Sequence, residues 1–100
     1  MTAPITLKPV TLNAQAQRFE MPIEENALAF CTYRQDAGGA YHLLHAEVPP
    51  AYEGRGIGGA LAKGVFDLAR AQGLKLTPRC SFMVAWAARH TEYGDVLTSS

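Results

Sequence analysis

The sequence predicts a mixed α/β sheet carrying two helices, and three observations predict it. Apolar and polar residues alternate along segments of the first half, the period switches to 3.6 after a glycine-rich turn, and a short apolar run separates two helical patterns. One hundred residues, 48% of them hydrophobic and 18% charged, suit one globular domain spanning residues 1–100.

Residues 1–13 read as irregular, with Pro4 and Pro9 among scattered apolar positions. The first strand covers 17–23, where Phe19, Met21 and Ile23 alternate with Arg18, Glu20 and Pro22, and Pro22 puts it at a sheet edge or a strand end. After Glu24-Glu25-Asn26 a second strand runs over 27–33, and Asp36-Ala37-Gly38-Gly39 supplies the turn of a hairpin. The return strand covers 41–48, with Leu44, Ala46 and Val48 on one face and Leu43, His45 and Glu47 on the other. Pro49-Pro50 ends it, because proline donates nothing to a ladder.

Ile57, Leu61, Ala62, Val65, Leu68 and Ala69 then form one helical face up to Gln72, and Gly73 stands where a left-handed residue closes a helix. Residues 74–76 read as a short strand closed by Pro78. Ser81 is positioned to cap a second helix in which Phe82, Ala85, Trp86 and Arg89 recur at helical spacing, followed by a polar tail over 90–100.

Nine basic and nine acidic residues cancel, so no global field attracts nucleic acid or an anionic membrane, and any anion site must be local. Cys31 and Cys80 have no CxxC spacing and no histidine cluster beside them, which predicts neither a disulfide scaffold nor a metal site. The first ten residues lack the basic and apolar pattern of a leader, and apolar runs stop short of a spanning length, so a cytoplasmic protein is the default expectation.

Residues 53–59 hold four glycines between a strand end and a helix start. Glycine lets backbone approach a ligand closely, and free N–H groups at a helix start favour phosphate. Gly54-x-Gly56-x-x-Gly59 formally matches a dinucleotide fingerprint. The chain beyond it is too short for that unit, and Pro78 and Arg79 stand where its acidic residue belongs. No Lys-Ser or Lys-Thr follows the glycines, which excludes a Walker loop.

Leu44-His45-Ala46-Glu47-Val48-Pro49, then Gly54-Arg55-Gly56-Ile57-Gly58, Pro78-Arg79-Cys80-Ser81-Phe82 and Thr91-Glu92-Tyr93 occur in this order over about residues 15–95. Together they resemble a minimal GNAT acyltransferase of the small subfamily that lacks N-terminal helices. The resemblance implies an α/β fold of the α+β type, with a mixed, mainly antiparallel sheet and two helices. It implies an N-acetyltransferase moving an acetyl group from acetyl-CoA to the amine of a small molecule or a protein lysine, without a metal. It places the coenzyme diphosphate on Gly54, Arg55, Gly56, Ile57, Gly58 and Gly59, and the pantetheine arm beside Ala46 and Val48. Glu53 departs from the Gln or Arg of the family's loop, and Arg55 is a nearby cation that offsets it. A non-catalytic acyl-CoA sensor and a protein-interaction domain are the alternative functions.

Transfer to an amine needs a base, a stabiliser for the oxyanion and an acid for the thiolate. His45 and Glu47 share a strand face and suit the base. A hydrogen-bonded strand histidine and a solvated carboxylate explain them equally well. Cys80 opens a helix, an environment that favours thiolate, and is a candidate for a transient acetyl-cysteine or for a packing role. Tyr93 is a candidate acid for the thiolate or a packing lid. Phe82 and Trp86 read as core residues that seat the second helix, and Arg79, Arg89 and His90 as charge for the adenosine phosphate, for an acidic substrate or for solvent.

Overall fold

Five strands form one sheet in chain order: β1 Thr11–Asn13, β2 Arg18–Ile23, β3 Ala27–Gln35, β4 Tyr41–Glu47 and β5 Leu76–Pro78. The first four are antiparallel neighbours, and β5 runs parallel to β4 after the crossover through helix α1, Ile57–Gln72. Helix α2, Ser81–Arg89, follows β5, and Thr91–Val96 forms a 3₁₀ segment. The computed structural model describes residues 6–24 and 26–98; the parts of the predicted irregular start, Glu24-Glu25-Asn26 link and polar tail that fall on residues 1–5, 25, 99 and 100 lie outside the described residues. No helix among the described residues is long and apolar enough to cross a membrane, and among them no group of three His, Cys, Asp or Glu could hold a metal.

Alternation places Phe19, Met21 and Ile23 of β2 and Ala29, Cys31 and Tyr33 of β3 on the buried face of the sheet. Helix α1 covers them with Ile57, Leu61, Ala62, Val65, Phe66 and Ala69. Gly73 adopts a left-handed φ of 70°, and its N–H reaches the Ala69 and Arg70 carbonyls, as its position after the apolar stripe predicts. Phe66 meets Trp86 of α2 with ring centroids 5.0 Å apart, joining the two helices. Asp36 Oδ1 accepts the Gly38 and Ala40 N–H groups at 2.9 and 3.0 Å, and Gly39 takes φ 93°, which fixes the β3–β4 hairpin.

The structure corrects the sequence reading at several places, the strand ends among them, since β3 runs on to Gln35 and β4 stops at Glu47. The start is not wholly irregular, because β1 pairs with β2, and Leu7 bridges Ile23. Pro22 therefore sits in the part of β2 that β1 leaves uncovered, where its carbonyl accepts the Lys8 N–H at 3.0 Å. The short strand is Leu76–Pro78 rather than 74–76. Cys80, not Ser81, is the N-cap of α2, with no side-chain cap bond. Phe82 is 38% exposed, and it is Met83 with Trp86 that seats the helix. The tail is not simply polar: Tyr93 and Val96 are buried, and Leu97 bridges Leu76.

Candidate functional site

The β3–β4 register shifts between Thr32 and Tyr33: Thr32 faces His45, Tyr33 faces Leu43, and Leu44 is the extra residue of a bulge. Leu44 is consequently 44% exposed. The bulge also resets the strand faces. Ala46 lies opposite buried Cys31, on the core face with Leu43, so the simple alternation that grouped Leu43 with His45 and Glu47 fails at this point. His45 and Glu47 still share the other face, with Nε2 and Oε1 3.5 Å apart and both side chains more than half exposed.

Just past Leu43 the two parallel strands part. The Arg79 and Cys80 N–H groups both donate to the Leu43 carbonyl, at 2.9 and 3.1 Å. Among the described residues no backbone bond joins β4 to β5 or α2 beyond it. The edge of β4 from Leu44 to Glu47 thus faces an opening, with half-buried Cys80, the N-cap of α2, at its apex. Cys31 lies on the core side of the same region. Burial, and secondarily the neighbouring Cys80 thiol, push the Cys31 thiol up to about 12. Behind the apex, Arg79 Nε donates to His42 Nδ1 at 3.0 Å while His42 Nε2 meets Asp36 Oδ2 at 2.8 Å, anchoring the residue before Cys80 to the hairpin.

Pro50–Tyr52 forms one 3₁₀ turn after β4, and the glycine turn then leads into α1. Gly54 and Gly56 both adopt φ 76°, and Gly56 is the N-cap of α1, its carbonyl accepting the Ala60 N–H at 3.1 Å. That first intrahelical bond leaves the N–H groups of Ile57, Gly58 and Gly59 as the helix's orphan donors. A cavity of about 300 Å³ lies against them, lined among others by Val48, Tyr52, Glu53, Gly54 and Phe82. Gly58 is glycine for a different reason: a Cβ there would sit 3.0 Å from Phe82 Cζ. Glu53 and Arg55 are both exposed, and Ile57 is buried in the core.

The structure therefore brings Val48, Gly54, Gly56, Ile57, Gly58 and Gly59 to one cavity, while Ala46 lies on the core face of β4, Arg55 is exposed, and His45 and Glu47 pair on the exposed face of β4. Tyr93 stands apart. Its hydroxyl donates to Asp67 Oδ1 at 2.5 Å, its ring packs on Phe66 and Trp86, and the Arg70 guanidinium lies 4.6 Å from the ring centre. The bond to the Asp67 carboxylate, more than burial, holds the Tyr93 hydroxyl above its ordinary range. Tyr52 and Phe82 as lining residues, and the bulge itself, escape a reading of the sequence. Only the nearness of Phe82 to Cys80 at the start of α2 signals Phe82, and nothing in the pattern marks Tyr52 or Leu44.

The family model described as GCN5-related N-acetyl-transferase matches residues 18–96. A solution NMR structure from Staphylococcus aureus, named as a GCN5-like candidate N-acetyltransferase, superposes with a TM-score of 0.65 at 29% identity, covering 91% of this chain and 88% of that one. No curated protein sequence matches the chain.

Proposed function

The chain belongs to the GCN5-related N-acetyltransferase family, and from that premise we propose that it transfers an acetyl group from acetyl-CoA to an amine. The observation that carries this reading is the cavity at the start of α1, which Val48 just past the end of β4 also lines. Orphan N–H groups at the start of α1 lie near the end of a strand whose edge is left open by the parting of β4 and β5, and the same strand carries the His45–Glu47 pair.

In this reading the diphosphate lies on the backbone of Gly54 to Gly59, where helix-end donors and the positive end of the dipole suit an anion despite the zero net charge. Glu53 opposes it little, because its exposed carboxylate can turn to solvent while the backbone still donates. The pantetheine amides pair with the free edge of β4 near Ala46 and Val48, as an added strand would. The thioester then ends beside Cys80. The amine nitrogen attacks the thioester carbon, the C–N bond forms, the C–S bond breaks, and the ammonium proton passes to Glu47 or through His45 to it. The departing thiolate takes a proton from water, and the proton held by the Glu47–His45 pair returns to solvent, so that amide, free thiol and the original pair result. Tyr93, bound to Asp67, serves the packing of the 3₁₀ segment in this scheme. The acceptor is a small molecule or a protein lysine, since the exposed His45–Glu47 face offers an open approach rather than a closed pocket. The cytoplasm, where acetyl-CoA is supplied, is the proposed compartment.

The test is calorimetry with acetyl-CoA, followed by CoA release over a panel of amines and lysine peptides. Saturable heat and turnover that falls in Glu47→Gln support the reading. Absence of heat and of thermal stabilisation at millimolar acetyl-CoA overturns it, and leaves a protein-interaction role for the fold.

A further inference from the structure

The bulge at Leu44 decides which side chains share the outer face of β4. Tyr41 packs on Phe19 and Tyr33, and Leu43 is fully buried, so His42 between them turns away from the core. In an unbulged strand His45 would follow Leu43 inward. Instead His42 faces Arg34 and His45 faces Thr32, two positions apart on β3, which sets the histidines on successive outer places about 7 Å apart. Glu47, opposite Phe30, extends the same row. Leu44 is the residue left over between the two histidines, and it is 44% exposed.

The two ends of this row differ in charge. At the hairpin end His42 Nε2 meets Asp36 Oδ2 at 2.8 Å, and His42 Nδ1 accepts the Arg79 Nε–H at 3.0 Å. A ring nitrogen that accepts from a guanidinium carries no proton, so this imidazole is neutral and donates its Nε2 proton to Asp36. Arg79 is therefore held by a neutral ring and not by a carboxylate. Only its Nε is spent: among the described residues no hydrogen bond engages its two terminal nitrogens, the edge that grips a carboxylate end-on. Exposed Arg34 stands across the ladder from His42, so two guanidiniums face the single carboxylate of Asp36 here. At the other end stand the Glu47 carboxylate and the His45 imidazole, 3.5 Å apart. Two cations, an apolar step at Leu44 and a carboxylate–imidazole pair complement an anion and an amine joined by a short aliphatic chain.

We propose that the acceptor is a small aliphatic molecule with a carboxylate at one end and an amine at the other. Arg79 holds the carboxylate, the chain crosses Leu44, and the amine reaches the His45–Glu47 pair. His42 and Asp36 are positioning residues that fix the guanidinium. The proposal rests on the acetyl-transfer reading above and chooses between the two acceptors that reading leaves open.

The test measures CoA release from acetyl-CoA with three amines. They are 6-aminohexanoate, hexylamine, which keeps the amine and chain without the carboxylate, and a lysine peptide blocked at both ends. Wild type is expected to show a KM for 6-aminohexanoate about tenfold below that for hexylamine, the value of one charge-assisted hydrogen bond, and below that for the peptide. Arg79→Gln brings the ratio of the first two close to one, through KM and not kcat. His42→Leu, which takes away the acceptor for Arg79 Nε, lowers the ratio in the same direction. His42→Gln restores it, because its side-chain oxygen accepts from Arg79 while its amide donates to Asp36, a rescue that a merely structural histidine would not show. A wild-type ratio near one, a wild-type ratio retained in Arg79→Gln, or a lower KM for the peptide overturns the assignment while acetyl transfer stands. If none of the three amines is acetylated, the transfer reading falls with it.

Discussion

Val10 occupies the space in which position 64 would otherwise carry a side chain: a Cβ on Gly64 would fall on Val10 Cγ2 and 3.1 Å from Val10 Cβ. The segment before β1 is held across α1 by this contact and to the end of β2 by the Lys8 N–H to Pro22 carbonyl and Glu24 N–H to Thr6 carbonyl bonds, 3.0 and 2.9 Å. Gly64→Ala gains about 1 kcal/mol of helix propensity and loses about 1–3 kcal/mol to overpacking against a β-branched side chain. The clash is expected to win, so urea unfolding should show a net loss. Adding Val10→Ala should restore most of it. A more stable Gly64→Ala single variant would mean that the segment does not pack there.

The glycines of the turn do different work and should respond differently. At φ 76°, Gly54 and Gly56 sit where an L-residue costs about 1–2 kcal/mol. Gly56→Val is therefore expected to lower the melting temperature and to weaken acetyl-CoA binding further by covering the helix-start donors. Gly59→Ala should be stable, since a Cβ there meets nothing. Calorimetry on folded variants decides it, and unchanged affinity in Gly56→Val would reject the diphosphate placement.

Two aromatic residues four positions apart on α2 give the sharpest contrast. Trp86 is 4% exposed among Phe66, His90 and Tyr93, whereas Phe82 is 38% exposed and leans on Gly58. Trp86→Ala should cost about 3–5 kcal/mol. Phe82→Ala should cost under about 1 kcal/mol and instead reduce acetyl-CoA affinity, because the ring walls the cradle. Equal destabilisation by the two, read from chemical denaturation, would contradict the difference in burial.

What the sequence disclosed follows from where its signals are local. The β2 alternation, the hairpin turn at Asp36–Gly39, the α1 stripe and the Gly73 cap each depend on residues within a few positions of one another, and each is found as read. The bulge at Leu44 depends on pairing with Thr32 and Tyr33, a long-range register that no local period encodes. Phe82 looked like core because i,i+4 spacing with Trp86 fixes a helix face and not what covers it. Tyr93 reads equally as an acid or a packing lid because its partner, Asp67, comes from another helix and no local spacing reveals it. The glycine turn into α1 is legible because glycines and a helix start stand in consecutive residues. The opening beside β4 is not, since it arises from two strands parting.

The two thiols should separate cleanly by reactivity. Cys31 is fully buried and held up to about 12, while Cys80 is half-exposed at the opening. A disulfide-exchange reagent should titrate one thiol in the native protein and both after denaturation, with Cys80→Ala removing the native one. Intact mass after incubation with acetyl-CoA then tests covalent transfer. One added acetyl on wild type and none on Cys80→Ala supports an acetyl-cysteine, and an unmodified wild type that still turns over means direct attack by the amine.

The bond between Asp67 and Tyr93 predicts how stability depends on pH at both ends. The Tyr93 hydroxyl first, and Lys63 next, hold the Asp67 carboxyl below its ordinary value. Its contribution is then fully present above the unfolded pKa of about 3.9 and is lost as pH falls through the lower folded value, because the unfolded chain takes up the proton more readily. Tyr93 itself is raised, chiefly by the same bond. Its contribution is present below about 10 and is lost as pH rises through the raised folded value. Tyr93→Phe removes the Tyr93 effect and the larger part of the Asp67 effect, leaving the part due to Lys63, and keeps the ring on Phe66 and Trp86. Melting temperatures of wild type and Tyr93→Phe should differ most between about pH 5 and 9, and the gap should narrow toward pH 3 and again above pH 10. Parallel curves across that range would show that the bond contributes nothing to stability in solution.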